Sequence, residues 1–277
     1  WRRKRNIPSS QICTHFYLFF KLLIKFVSIL ISIHSASELV LQTLVLTIVK
    51  QHYRAEIHFH IGEYMIVNER VVAYINSLDC GNSDICNTIE KEAIADEVPI
   101  IRKEMGNLLK VLLQLVQPER ILEVGTAVGY SSILMSENMP EKCTITTIEN
   151  YDKRIPVARN NFKRAGKENV ITLIEGDALE VLKTLEGPYD FIFMDAAKGQ
   201  YINYLPDIKR VLRKGGLLIS DNILQEGEIV ESRYAVTRRN RTIHTRIREY
   251  VYELTHTKDF VTSIVPIGDG ITLSVKQ

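Results

Sequence analysis

At 277 residues, 45% hydrophobic and 25% charged, the chain has the make-up of one globular domain with an extension, or of two small domains. Its formal net charge of +2 marks out no special partner. Its four cysteines (Cys13, Cys80, Cys86, Cys143) show neither a CxxC pair nor a Cys/His spacing suited to zinc, so reduced thiols are expected.

The charge is unevenly spread. Residues 1–64 hold eight Lys/Arg against three Asp/Glu, while the remainder holds 27 basic and 30 acidic residues. Arg2, Arg3, Lys4 and Arg5 precede an apolar run over 16–33, and a second run covers 39–49. This resembles a charged leader with a hydrophobic anchor. Against it, Lys21 and Lys25 sit inside the first run, where charge is costly in a bilayer, and no clear small-residue cleavage site follows. The first methionine is Met65. The expectation is therefore a boundary between 64 and 65, with residues 1–64 a non-native or mis-set start. A hydrophobic anchor is the rival, and a membrane is a partner only if that segment is real and inserted.

From Met65 onward, helical spacing of apolar residues predicts helices over 66–79, 87–97 and 102–116, the last closed by Pro118. Strands and helices then alternate. Strands are predicted at 120–126, 144–150, 170–177, 189–195 and 215–222. Helices are predicted between them at 130–139, 152–166, 178–185 and 201–212. A long loop at 223–237, a helix over 238–257 and a hairpin of 260–267 with 271–277 complete the chain. This order predicts an α/β, doubly wound, Rossmann-like domain: a seven-stranded, mostly parallel sheet with an antiparallel C-terminal hairpin.

The loop in ILEVGTAVGYSS, 121–132, leaves the first strand and opens a helix. Gly125 and Gly129 let the backbone approach a ligand, though tight helix–strand packing would need the same glycines. Their G-x-x-x-G spacing is not the G-x-G-x-x-G that cradles a dinucleotide. Glu149 ends the second strand, where a carboxylate accepts from ribose hydroxyls, and Asp177 ends the third. A cationic, phosphate-free adenosine such as S-adenosylmethionine suits this edge.

Asp195 ends the fourth strand, in FIFMDAAKGQY, and Asp221 and Asn222 end the fifth, in LLISDN. If these strands are neighbours, two carboxylates and an amide oxygen meet. Such a set suits a hard cation, Mg²⁺ or another divalent ion. Helix capping by each residue separately is the plainer alternative. Lys198, three residues past Asp195, is placed to take a proton from an acceptor hydroxyl, although an exposed turn lysine is the commoner case.

The segments EVGTAVGYSS, TIEN, EGDAL, FIFMDAAKGQY, ISDN and VPIGDGITLS resemble the cation-dependent O-methyltransferase family, which includes the catechol and caffeoyl-CoA enzymes. Within it, DAAKGQY, the DN pair and the IGDG ending are most similar to the bacterial tRNA 5-hydroxyuridine methyltransferases. The resemblance covers about residues 66–277. It implies metal ligation by Asp195, Asp221 and Asn222, and Lys198 as base. It also implies cofactor contacts at Ile101, Gly125, Ser131, Glu149, Asp177, Ala178 and Asp195, and a homodimer; the reduced cysteines point to the cytoplasm. Its tRNA branch implies the anticodon wobble uridine as substrate. Arg233, Arg238, Arg239 and Arg241, with Arg246 and Arg248 beyond them, would then be phosphate contacts, and Tyr201, Tyr204 or Tyr234 stacking partners. A solvated helix face explains the arginines without RNA. A small catechol-type acceptor, or a non-catalytic cofactor-binding protein, are the other readings.

Overall fold

The computed structural model describes residues 66–277. The boundary expected at 64/65 and the two apolar runs before it lie outside the described residues. Among those residues no helix is long and apolar enough to cross a membrane. Cys80, Cys86 and Cys143 are free thiols, as expected.

Three helices precede the sheet: α1 (Glu69–Ser77), α2 (Asp84–Ala95) and α3 (Lys103–Val116). The sequence places the start of α2 three residues late. Ser83 is the reason: its side chain accepts from the Cys86 N–H at 3.2 Å and caps the helix there.

The alternation that follows is β1 (Arg120–Val124), α4 (Tyr130–Asn138), β2 (Thr144–Glu149), α5 (Ile155–Arg164) and β3 (Ile171–Glu175). It continues through α6 (Ala178–Thr184), β4 (Tyr189–Met194), a short 3₁₀ turn (Lys198–Gln200), α7 (Tyr201–Val211) and β5 (Leu212–Ser220). The chain ends with α8 (Arg241–His256), β6 (Phe260–Val265) and β7 (Ile271–Lys276). The expected long loop is partly ordered, with 3₁₀ turns over Gln225–Val230 broken at Glu226 and Gly227.

The seven strands form one sheet in the order β3-β2-β1-β4-β5-β7-β6. β1 to β5 pair in parallel, and β7 runs antiparallel between β5 and β6. Successive residues of each strand face opposite sides. Ile121, Phe191, Phe193 and Ile219 therefore enter one core with Met105, Leu109 and Leu134, while Leu122, Ile192, Met194 and Leu218 enter the other with Ile208 and Ile247. With both faces apolar, the strands read as continuous hydrophobic runs.

Register then sets the site. Val124 pairs with Ile148 on one side and Met194 on the other, and Met194 pairs with Ser220. Val124, Ile148, Met194 and Ser220 thus lie at one level, and the next residues in the chain are Gly125, Glu149, Asp195 and Asp221.

Tyr201 stitches this edge together. Its buried hydroxyl is within bonding distance of the Met194 carbonyl (3.2 Å) and the Asp221 carbonyl (3.3 Å), and accepts from the Ala196 N–H at 3.2 Å. Its ring meets that of Tyr250 edge-on, 5.5 Å between centroids. The expectation that Tyr201 could stack on a base is corrected here: the ring is part of the core. Tyr201→Phe should cost about 1–2 kcal/mol in urea unfolding, because buried polar groups lose their partner.

Candidate active site

A cavity of about 620 Å³ opens at these strand ends. Gly125 lies in its wall at φ +103°, and a Cβ there would fall 2.0 Å from the Asp195 carbonyl oxygen. Only glycine lets the ends of β1 and β4 approach so closely. The next turn is tied to β2: the Gly125 and Thr126 N–H groups both donate to the Ile148 carbonyl at 3.1 Å.

Glu149 is held by three backbone donors, the N–H groups of Ala127 (2.7 Å), Asn150 (3.0 Å) and Tyr151 (2.9 Å). A carboxylate offers about four lone-pair sites, so acceptor capacity remains for a ligand hydroxyl. Ile101 and Ala178 also line the cavity.

Two expected cofactor contacts are placed elsewhere. The Ser131 hydroxyl donates to Glu123 Oε1 at 2.5 Å, inside the domain and not into the cavity. The Asp177 side chain caps α6, accepting from the Leu179 N–H at 2.8 Å, and is exposed; its neighbours Gly176 and Ala178 form the wall instead. At the start of a helix the free N–H groups compete for a carboxylate, and here they win.

Glu123 itself is a feature that the sequence patterns above do not single out. It is fully buried in β1 and accepts from the hydroxyls of Ser131, Ser132 and Thr147. Burial pushes its carboxyl up to about 7; the three hydroxyl bonds pull the other way and nearby Asp195 adds to the rise. An ionisable residue inside an apolar strand, two positions before Gly125, is the signal that marks it.

At the other end of the cavity the parallel ladder runs one residue past the strands. The Asp195 N–H donates to the Val124 carbonyl and the Asp221 N–H to the Met194 carbonyl, both at 2.9 Å. The two carboxylates are therefore neighbours, as expected. Asp221 is only 5% exposed, and its carboxyl is pushed up to about 7 by burial and then by Asp195, against the Asn222 N–H and Lys198. Burial likewise raises Asp195, opposed by Lys198. Asn222 lines the cavity in the left-handed region at φ +56°, which asparagine tolerates better than most residues.

Among the described residues no three His, Cys, Asp or Glu side chains form a metal cluster. The candidate set here is two carboxylates and an amide. All three are hard oxygen donors, and neither carboxylate takes part in an ion pair within 4.0 Å among the described residues. Such a set fits a hard divalent cation, which would relieve the mutual repulsion.

Lys198 lines the same end, with Nζ 3.7 Å from Oδ2 of Asp269. Asp269 and Glu226 also line the cavity and are not anticipated by the sequence, in which GDG reads only as a hairpin turn.

The arginines divide. Arg233, Arg238 and Arg239 are exposed. Arg241 donates to the Val236 (3.2 Å) and Tyr234 (3.4 Å) carbonyls, Arg246 to that of Gly199 (3.1 Å) and Arg248 to that of Ile229 (3.1 Å). Arg241 and Arg248 fasten the loop and Arg246 the turn after β4, which corrects the expectation that Arg241 is free for phosphate. Tyr204 lines the cavity but is 5% exposed, whereas Tyr234 stands in solvent.

A doubly wound sheet with its cavity outside the carboxyl ends of the strands is the architecture of α/β cofactor-binding enzymes. Comparison with known proteins narrows this. An O-methyltransferase family model matches residues 82–277. The chain belongs to that O-methyltransferase family. It is 35% identical over 135 residues to the catechol O-methyltransferase of Niastella koreensis, covering 47% of this chain and 61% of that one. It is 34% identical over 182 residues to caffeoyl-CoA O-methyltransferase 2 of Populus trichocarpa, covering 61% and 71%. A Podospora anserina methyltransferase, solved with SAH bound, superposes with a TM-score of 0.69 at 26% identity, covering 76% of this chain and 94% of that one.

Proposed function

We propose that the chain transfers a methyl group from S-adenosylmethionine to a hydroxyl that has a second oxygen beside it. A divalent cation such as Mg²⁺ would be held by Asp195, Asp221 and Asn222. The observation that carries this reading is the pair of buried, neighbouring carboxylates at the ends of β4 and β5, both raised by burial and Asp221 further by Asp195, in one cavity with Glu149. Gly125 and Glu149 suit the adenosine end of the cofactor, and the Podospora relative contains SAH.

The cation, when bound, supplies Lewis acidity that lowers the pKa of an acceptor hydroxyl. Lys198 takes the proton on Nζ. The acceptor oxygen then forms a bond to the methyl carbon while the carbon–sulfur bond breaks, its electron pair staying on sulfur. The rest of the work is alignment: Gly125 and Glu149 fix the donor, and Asp195 and Asp221 fix the acceptor end.

The names of the relatives favour a small catechol-type acceptor. A second reading, 5-hydroxyuridine of a tRNA wobble position, is favoured by the exposed Arg233, Arg238 and Arg239 in an otherwise acidic domain. That base carries a 5-hydroxyl beside a 4-carbonyl, so it offers the same oxygen pair. Homodimer formation is part of the proposal. It is supported by the apolar residues Val71, Tyr74, Ile75 and Leu78, exposed on or next to α1, which buries none of its own residues.

The deciding experiment incubates the full chain with S-adenosylmethionine and Mg²⁺, offering catechol in one arm and hydroxyuridine-containing tRNA in the other. Products are identified by mass spectrometry. Methylated catechol that EDTA prevents is the expected result. Methoxyuridine alone would move the acceptor to tRNA. Transfer undiminished by EDTA would remove the cation, and no transfer in either arm would overturn the proposal.

A further inference from the structure

We infer that Asp269 is a positioning residue for this transfer: its carboxylate holds Lys198 at the acceptor end of the cavity and stabilises the ammonium formed when Lys198 takes the acceptor proton. The inference rests on the reading of the site just given.

Asp269 lies in the turn between β6 and β7, more than seventy residues along the chain from Lys198. The glycines on either side, Gly268 and Gly270, are left-handed at φ +55° and +78°. They turn the backbone so that the Asp269 side chain enters the cavity, and the residue is only 7% exposed. Oδ2 stands 3.7 Å from Lys198 Nζ, the one basic group within 4.0 Å of this carboxylate among the described residues.

The other oxygen, Oδ1, accepts from the Glu226 N–H. The backbone around it grips the same segment. The Asp269 carbonyl accepts from the Leu224 N–H at 3.0 Å, and the Gly270 carbonyl from the Ile223 N–H at 2.9 Å. A Cβ on Gly270 would meet Leu224 Cγ at 2.2 Å, so the two segments interlock.

One carboxylate therefore ties the turn after β4, which carries Lys198, to the segment after β5, which carries Asn222 and Glu226. That segment holds three non-glycine residues in the left-handed region: Asn222 (φ 56°), Gln225 (φ 50°) and Glu226 (φ 52°). Such conformations persist only where the surroundings impose them, and they gather at functional sites. Holding the segment needs only a hydrogen-bond acceptor, and asparagine would serve. A buried negative charge facing an amine asks for more. It matches a base that becomes cationic during the reaction, with a third group orienting it.

The balance is complete within the site. Lys198 enters the step as the neutral amine, and the acceptor O–H proton passes to its Nζ lone pair. The oxygen's electrons form the new O–CH₃ bond, and the electrons of the broken S–CH₃ bond remain on sulfur. The positive charge that leaves the sulfonium reappears as the Lys198 ammonium beside Asp269.

The test is a double-mutant cycle on the full chain with catechol as acceptor and saturating S-adenosylmethionine and Mg²⁺. The variants are Asp269→Asn, Lys198→Gln and both together. Asp269→Asn keeps an oxygen for the Glu226 N–H and removes the charge. It should lower kcat about 10–100-fold, the range seen when an orienting partner is lost, with SAH affinity by calorimetry unchanged. In the Lys198→Gln background the same change should cost less than about twofold, because the two act as a unit. Asp269→Glu, which keeps the charge, should retain more of kcat than Asp269→Asn; this variant also serves if the asparagine protein does not fold. Losses that multiply, or wild-type kcat in Asp269→Asn, or equal losses in Asn and Glu, would overturn the inference while leaving the methyltransferase reading intact. A wild-type chain that methylates no acceptor would overturn that reading and this one with it.

Discussion

Replacing Asp221 with alanine should abolish methyl transfer while SAH binds within a few-fold of its wild-type affinity. Removing a group that only orients a metal ligand typically costs 10–100-fold, so loss of a candidate ligand should exceed about a hundredfold in kcat. Glu149 and the Gly125 turn, on the cofactor side, do not touch Asp221 and keep their own backbone bonds. The same change should affect stability in the opposite direction. Without a cation, Asp195 and Asp221 are two buried carboxylates, each raised by burial and Asp221 further by Asp195. Removing one relieves the repulsion, so in EDTA the variant should melt no lower than wild type. Catechol methylation, SAH calorimetry and a thermal melt check the three parts. Full activity in Asp221→Ala would refute the metal-centre reading.

Much of this site is legible in the amino-acid sequence because parallel strands that share a register end together. Buried runs such as RILEV and DFIFM leave little doubt about their direction or neighbours, and whatever follows them falls on one edge. Gly125, Glu149, Asp195, Asp221 and Asn222 are all found by that rule. Residues one step further from a strand end are harder. Asp177 lies two residues past its strand, where Asp195 lies one, and α6 begins at once so that its free N–H groups claim the carboxylate. Ser131 sits in the first turn of α4, and only the rotation of that helix decides between the cavity and Glu123. The arginines of the loop and of α8 look alike in sequence, yet Arg241, Arg246 and Arg248 each donate to a backbone carbonyl and Arg233, Arg238 and Arg239 are exposed. Asp269 is out of reach for a different reason. Its partners come from the ends of two other strands, and β7 reaches them by inserting between β5 and β6.

Glu123→Gln should flatten the pH dependence of stability between about pH 4.5 and 7. The folded protein holds this carboxyl at about 7 against an ordinary 4.5, chiefly through burial. Below pH 4.5 both states carry the proton. Above it, the unfolded chain releases the proton while the folded protein keeps it, so the native state binds more protons and stability falls as pH rises toward 7. At 1.36 kcal/mol per pH unit, the loss attributable to Glu123 is about 3 kcal/mol across that window. Glutamine carries no charge at any pH and lacks this contribution. Its amide still offers an oxygen to the hydroxyls of Ser131, Ser132 and Thr147, which can rotate to accept from the new NH₂ group. Urea unfolding of both proteins at pH 4.5, 6 and 8, without metal or cofactor, isolates the difference from other titrating groups such as Asp221. Parallel curves for the two proteins would show that Glu123 is already ionised when buried. A flatter curve for the variant would show that β1, β2 and the start of α4 are joined around a neutral acid. The hydroxyls of Ser131, Ser132 and Thr147 would then be held without a buried charge that Asp195 would otherwise repel.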